Sequence, residues 1–379
     1  IYYPGTRTPI PDKDLAPLMT PDSRAVMKVY GEMIRYATLY TNLPASNNTI
    51  FQVLNPFHWR QDIARVDYRP TDDHSVYFRW LHDHYDLVDP FGTFNSSQLP
   101  TTPTARNRPG FGPQLGDLWL ISAHFINEAK LSASWNGQRT PLRGTNWQRD
   151  TYGFRFPRIF GANGPYPTGI PDVSVSGFAS YNGPARVYLL SPTTDIALSN
   201  NLTYMRGPQT IKTGVMIIRN RKDQNGRSVY DGSVNFNTNP NNFTSNYALA
   251  DAALGNFSTY TEAGGDPVGF FRFSQYEAYL QNDWRVLRNL TLNLGLRYGY
   301  LVPTYTTANN ILNFDPSLYD PMRAVSVTNQ GLIVPNSGNP LNGLIRAGNG
   351  VPKDQLGRVP NATDPVVLAV PAGAPRGLY

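Results

Sequence analysis

The sequence predicts an all-β protein: about eight strands of an antiparallel transmembrane β-barrel carrying long extracellular loops. Three observations predict it. Segments of period-two alternation occur in pairs. Their connections alternate between a few residues and several tens. Within several segments apolar residues alternate with polar or charged ones.

The segments come as four hairpins. The first covers 59–69 and 74–83, joined by Pro70-Thr71-Asp72-Asp73. The second covers 116–125 and 128–138, with its turn around Ile126-Asn127. The third covers 195–205 and 210–222, joined by Arg206-Gly207-Pro208-Gln209. The fourth covers 270–285 and 289–302, joined by Val286-Leu287-Arg288. Between the hairpins lie turn-rich stretches, 87–114, 140–192 and 223–268, with another after Pro303, all expected to lack regular structure. Compact soluble domains rarely hold several such loops, whereas outer-membrane barrels join short periplasmic turns to long extracellular loops.

The faces agree. Leu290, Leu292, Leu294, Leu296 and Tyr298 alternate with Thr291, Asn293, Gly295 and Arg297. Ala129, Leu131, Ala133 and Trp135 alternate with Lys130, Ser132, Ser134 and Asn136, and Ile211, Thr213, Val215 and Ile217 with Lys212 and Gly214. A Lys or Arg facing lipid at the bilayer midplane costs about 2–4 kcal/mol, which assigns Lys130, Lys212 and Arg297 to the lumen side. Trp59, Trp80, Trp135 and Trp284 fall near strand ends, where an aromatic girdle is expected.

Composition supports this reading. The 379 residues include 32 Gly, 33 Pro, 23 Tyr and 18 Phe, a mixture that favours turns and aromatic-rich strands over helices. No apolar run reaches about 18 residues, so no transmembrane helix is predicted. A mean hydropathy of −0.39 suits a barrel, in which only alternate residues meet lipid. The absence of Cys removes disulfides, thiolate metal sites and Cys nucleophiles together. The net charge of +6 is scattered over turns and loops, which argues against a nucleic-acid partner.

Residues 1–58 read as an extracellular loop segment in which Asp22-Ser23 cap a helix running through Ala25, Val26, Val29 and Met33 to about Ala37. Residues 59–302 read as the partial barrel and 303–379 as a truncated extracellular loop. The chain opens on Ile1 and closes on Ala374-Pro375-Arg376-Gly377-Leu378-Tyr379, so a longer protein is expected at both ends.

The run from Tyr276 to Tyr298, with Asn282-Asp283-Trp284 ending one strand and Leu290-Thr291-Leu292-Asn293-Leu294-Gly295-Leu296-Arg297-Tyr298 beginning the next, resembles a barrel hairpin of TonB-dependent receptors. Asp62-Ile63-Ala64-Arg65-Val66-Asp67-Tyr68 and the run from Asp72 to Trp80 resemble the first clear hairpin of the Oar-like subgroup, whose complete members carry a carboxypeptidase-regulatory-like domain. Asn127-Glu128-Ala129-Lys130 fits the same pattern. The resemblance implies a barrel of about 22 strands enclosing a plug domain, with import driven through the TonB complex. It implies outer-membrane lipid, the plug of the same full-length chain, the TonB complex and an unidentified extracellular solute as partners. Neither a plug nor a TonB-contacting segment is found between Ile1 and Tyr379.

Lumen-facing Arg65, Asp67, Arg79, Lys130, Lys212, Glu277, Asp283 and Arg297 are candidates to contact a plug or a substrate; the simpler reading is that they solvate a wide lumen and pair with one another. Tyr152, Phe154, Phe156, Phe160, Tyr166, Phe178 and Tyr181 are candidates to capture ligand by stacking on sugars or peptides, and packing between loops explains them equally well. His82 and His84 share a strand face at chelating spacing, with Asp83 and Asp86 close by, but a solvated loop base accounts for them better than a metal site. No Gly-x-Ser-x-Gly elbow occurs, and Gly161-Ala162-Asn163-Gly164 and Gly264-Gly265-Asp266 open no helix, so neither catalysis nor a cofactor is expected. Two other readings stand beside the receptor: a passive porin or adhesin-like barrel, and a soluble β-rich carbohydrate-binding module.

Overall fold

A computed structural model describes residues 1–41, 47–94, 97–161, 163–238, 243–329, 333–358 and 369–374. In chain order the strands that matter are β1 (Phe57–Thr71), β2 (His74–Asp89), β3 (Gly110–Ser122), β4 (Phe125–Asn136), β5 (Asp172–Val175), β6 (Thr193–Arg206), β7 (Gln209–Asn225), β8 (Ser233–Phe236), β9 (Thr259–Thr261), β10 (Val268–Leu287) and β11 (Leu290–Leu301). Two helices accompany them, α1 (Pro21–Ile34) and α2 (Ala248–Leu254).

Eight of these strands form one antiparallel meander in the order β11-β10-β7-β6-β4-β3-β2-β1. They are the four hairpins of the alternation pattern; six of the strands run further towards the long connections, while β4 and β11 stop short of the expected ends, at Asn136 and Leu301. Two-residue turns close each pair: Asp72-Asp73, Ala123-His124, Gly207-Pro208 and Arg288-Asn289. The second turn sits before Ile126-Asn127, which pair as strand residues with Leu120 and Trp119, so that expectation is corrected. Pro70 lacks a donor N–H, and the β1–β2 register shifts between Tyr68 and Thr71 there.

The register separates two environments. One cross-strand row runs Val66, Phe78, Leu115, Leu131, Leu198, Ile217, Tyr276, Tyr300, apolar across all eight strands. The next row, on the opposite face, runs Asp67, Tyr77, Gly116, Lys130, Ser199, Met216, Glu277, Gly299. Every member of the first row except Ile217 is more than two-fifths exposed in the isolated chain. A contiguous apolar belt of that extent needs hydrocarbon against it.

The aromatic girdle is only partly as expected. Trp80, Phe111 and Trp135 stack across three strands on the apolar face, with centroids 5.5 and 5.2 Å apart. Trp59 points to the polar face, where its Nε1 donates to Asp83 Oδ2 at 3.4 Å. It belongs to the lumen, because its odd-numbered position shares the face of Arg65 and Asp67.

The long connections are not structureless. The described residues of 1–51, 137–192 and 226–267 fold together at the loop end of the sheet. β5 pairs in parallel with β8, and β8 antiparallel with β9, while α1 and α2 pack on this small sheet around Val26, Val29, Met33, Tyr152, Phe154, Val173, Tyr181, Phe236 and Ala252. These residues are a conventional apolar core, which alternation between lipid and lumen would never reveal. The helix cap is Thr20, whose hydroxyl accepts the Ser23 N–H at 3.1 Å, with Pro21 in the first turn. Asp22-Ser23 therefore lie inside the helix and do not cap it. α1 ends at Ile34, and Tyr36 and Ala37 close it through reverse-turn bonds. Beyond Val302, the strands Leu312–Phe314, Leu344–Ala347 and Ala372–Ala374 make a further small sheet.

Candidate solute path

The polar face of the meander brings all eight lumen candidates to one surface. Arg65 is bidentate to Asp67, with Nη2–Oδ1 at 2.7 Å, and its guanidinium stands 4.4 Å over the Tyr77 ring. Arg79 lies opposite Arg65 in the register and opposite Gln114 on the other side. Lys130 pairs with Glu128 at 2.6 Å, and Arg297 pairs with Glu277. Gln281 Nε2 donates to Asp283 Oδ1 at 2.9 Å, and Lys212 faces Gln281 across the ladder. Arg65 with Asp67, Lys130 with Glu128 and Arg297 with Glu277 thus meet opposite charges on the same polar face, while Arg79 faces Arg65 and Lys212 faces the neutral Gln281.

Glycine shapes this wall. A Cβ at Gly214 would lie 2.6 Å from the Tyr279 ring, so the tyrosine crosses its partner strand there and donates from its hydroxyl to Asn201 Oδ1 at 2.9 Å. Tyr77 covers Gly116 in the same way and bonds Gln114 at 3.2 Å. Nearer the loop end, Gly110 and Gly112 leave a hollow of about 720 Å3 lined by Phe57, Trp59, Leu81, Asp83 and Tyr85.

The cap contributes a second concavity. Segment 154–160 is pinned at both ends by carboxylates accepting backbone N–H groups. Asp22 Oδ1 takes those of Arg155 (2.6 Å) and Phe156 (3.0 Å), and Glu262 takes those of Ile159 (3.0 Å) and Phe160 (2.9 Å). The Tyr260 hydroxyl also donates to Glu262. These bonds hold Glu262 below the ordinary carboxylate range, although desolvation, the largest single influence, pulls it upward. Between the pinned segment, α1 and β8 opens an apolar cleft of about 450 Å3, lined by Val26, Phe154, Phe156, Ile159, Phe257 and Tyr260 among others. Phe156 meets Tyr260 edge-on at 6.0 Å and carries the Arg149 guanidinium 4.2 Å above its ring.

Beside the cleft residues Arg158 and Asp231 form a buried pair at 2.5 Å, and Arg158 also donates to the Gly169 carbonyl at 3.2 Å. Burial pushes the Asp231 carboxyl up to about 8 against the pull of Arg158. Asp172 is pushed up to about 6 by burial, opposed by the Gly183 N–H and by Arg186.

The seven loop aromatics separate. Tyr152, Phe154 and Tyr181 are buried in the cap core, where neighbouring segments cover their rings. Phe156 and Phe178 are half-buried against that core, and Tyr166 is wedged between Trp147 and Tyr188. Phe160 alone of the seven is exposed. His82 and His84 point to the apolar-face side above Trp80, and His84 Nε2 lies 3.0 Å from Asp86. Among the described residues no three metal-ligating side chains converge. The Gly161-Ala162-Asn163-Gly164 loop includes one residue, Ala162, outside the described set. Sequence reasoning missed Asp22, Ile159, Phe257, Tyr260 and Glu262; the aromatic pair Phe257 and Tyr260 in the 223–268 stretch was the available signal.

Residues 1–358 match the family model described as an outer membrane beta barrel domain. The chain belongs to that family. An outer-membrane barrel domain places the apolar rows in lipid, the polar rows in the lumen, and the cap outside the cell, since long connections lie on that side. Among solved structures the chain is similar to FpvA of P. aeruginosa bound to iron and a heterologous pyoverdine, at 12% identity and TM-score 0.37 over 66% of this chain. It is also similar to the copper transporter OprC, at 14% and 0.35 over 80% of this chain, and to FpvAI in complex with pyocin S2, at 12% and 0.37 over 66%. The chain spans 32%, 34% and 32% of those three chains respectively. No curated protein matches it.

Proposed function

We propose that this outer membrane beta barrel domain serves an energy-coupled receptor of the TonB-dependent class, of the Oar-like subgroup, that captures a scarce solute outside the cell and imports it. The observation that carries the reading is a ligand-sized aromatic cleft in a folded cap, set over a polar, glycine-hollowed inner wall. The residue runs Asn282–Tyr298 and Asp62–Trp80 supply the class. A cleft of apolar walls with Asp22 at its margin suits a solute with an apolar face, and the pinned segment 154–160 gives it a firm boundary. Plug and TonB complex are the partners this reading requires, the plug from the same full-length protein.

A test compares cells with and without the full-length gene for solutes removed from a complex medium, with and without a proton uncoupler. Gene-dependent depletion that stops on uncoupling is the expected result. Depletion that continues unchanged identifies a passive porin and ends the energy-coupled reading. The soluble-module reading is already displaced, because the eight-strand apolar belt and the family membership both require a membrane.

A further inference from the structure

On the lipid-facing side, the apolar belt over β6, β7 and β10 ends abruptly in arginine. Following that face of β10 from the turn gives Trp284, Asn282, Leu280, Ala278 and Tyr276, then Ser274 and Arg272. On β7 the same face gives Ile211, Thr213, Val215 and Ile217, then Arg219 and Arg221. Tyr276 stacks with Tyr300 at 6.4 Å, as the outer aromatic girdle does, so the arginines begin one step outside the hydrocarbon.

Their arrangement is costly without a ligand. Arg221 and Arg272 are directly opposed across the β7–β10 ladder, where like charges destabilise the pairing. Arg219 lies two residues further along the same face. Among the described residues only Arg272 of the three meets a carboxylate, Asp223 at 2.9 Å. Arg219 is held by neutral hydroxyls, donating from Nη1 to Ser274 Oγ and from Nη2 to Tyr305 Oη, both at 2.8 Å. Three guanidiniums against one carboxylate line a hollow of about 200 Å3 with Thr194 and Ile196.

We propose that Arg219, Arg221 and Arg272 form a binding site for the phosphate group of an outer-leaflet lipid headgroup. Guanidinium forks match phosphate oxygens bidentately, and a phosphate there neutralises the opposed pair. The position selects a lipid over free phosphate: acyl chains hanging from a headgroup at this level would lie along Leu198, Ile217 and Tyr276, which the same face presents directly below. The proposal is independent of whether the barrel imports anything.

The test uses the full-length protein, purified from outer membranes and reconstituted in phosphatidylcholine nanodiscs doped with phosphatidic acid. Lipid retained by the protein is read by native mass spectrometry. Wild type and the control R7Q/K13Q, which removes two exposed cap charges, are expected to enrich phosphatidic acid equally. R219Q/R221Q is expected to lower that enrichment roughly ten-fold. Should the double variant not assemble, R221Q alone, at an exposed side chain, is expected to lower it about three-fold. Unchanged enrichment in the variants overturns the proposal. Full displacement of the lipid by millimolar inorganic phosphate overturns the lipid assignment, leaving a free-phosphate site.

Discussion

The ring of Tyr279 crosses Gly214 on the lumen wall, with Cε1 only 2.6 Å from where a Cβ of residue 214 would stand. The contact joins three strands, because the same tyrosine hydroxyl reaches Asn201 on β6. Gly214→Ala is expected to displace the ring and loosen that bond, at about 1–3 kcal/mol. Gly112→Ala, where the nearest atom would be 3.7 Å away, is expected to stay within about 0.5 kcal/mol of wild type. The midpoint of heat-induced unfolding on gels distinguishes the two; equal midpoints would contradict the role given to Tyr279.

The separation of faces makes neighbouring positions on β10 opposite in tolerance. Leu280 lies midway between the Trp284 and Tyr276 girdle residues on the lipid side. Leu280→Arg is expected to cost about 2–4 kcal/mol and to reduce assembled protein in the membrane. Gln281→Arg, one residue along and inside the lumen, is expected to assemble normally. Urea titrations in lipid vesicles check both, and equal sensitivity would refute the assigned faces.

The cap should respond to pH. Burial raises the Asp172 and Asp231 carboxyls to about 6 and 8, so the folded cap binds these protons more tightly than the unfolded chain does. That contribution is complete below the usual carboxylate range of about pH 4 and is lost as pH rises through the two raised values. Amide exchange in 158–186 and 228–236 is therefore expected to quicken between pH 5 and pH 8, once corrected for intrinsic rates. Asp231→Asn is expected to flatten the upper part of that profile. A profile that is flat in the wild type would count against the buried, proton-holding state of Asp231.

The aromatic cleft yields a binding prediction. Ile159 and Phe257 line it while remaining more than half exposed, so shortening them leaves the cap core intact. Ile159→Ser with Phe257→Ser is expected to weaken binding of an aromatic dye about ten-fold. The unfolding midpoint should barely move. Undiminished dye binding would show that the probe, and by extension the solute, sits elsewhere.

Particular residues show why the sheet was legible in the sequence and the cap was not. Leu290 to Tyr298 alternate between two solvents, lipid and water, and that contrast survives in the order of residues alone. Tyr181 and Phe154 sit in a core whose other walls come from α1 and α2, so no local period marks them. Ala248–Leu254 closed by Gly255, left-handed at φ 76°, was a readable helix with its C-terminal stop. It was hidden by the expectation that long loops lack structure. The cleft was less legible still, because Asp22 and Glu262 act on backbone N–H groups 133 and 103 residues away, respectively.

Those distances bear on how the protein is built. Tyr30 Oη donates to the Ala179 carbonyl across 149 residues, and α1 rests on α2, which follows six membrane strands and part of another long connection. Closing loops of that size is slow: the helix meets its partners in 151–179 only after β4, and α2 only after β7 has crossed the bilayer and the segment beyond it has been exported. Assembly is therefore ordered from membrane to surface: the staves come first and the lid snaps shut as a late step. A protease that cuts 21–34 only in an open cap would thus time the completion of insertion in living cells.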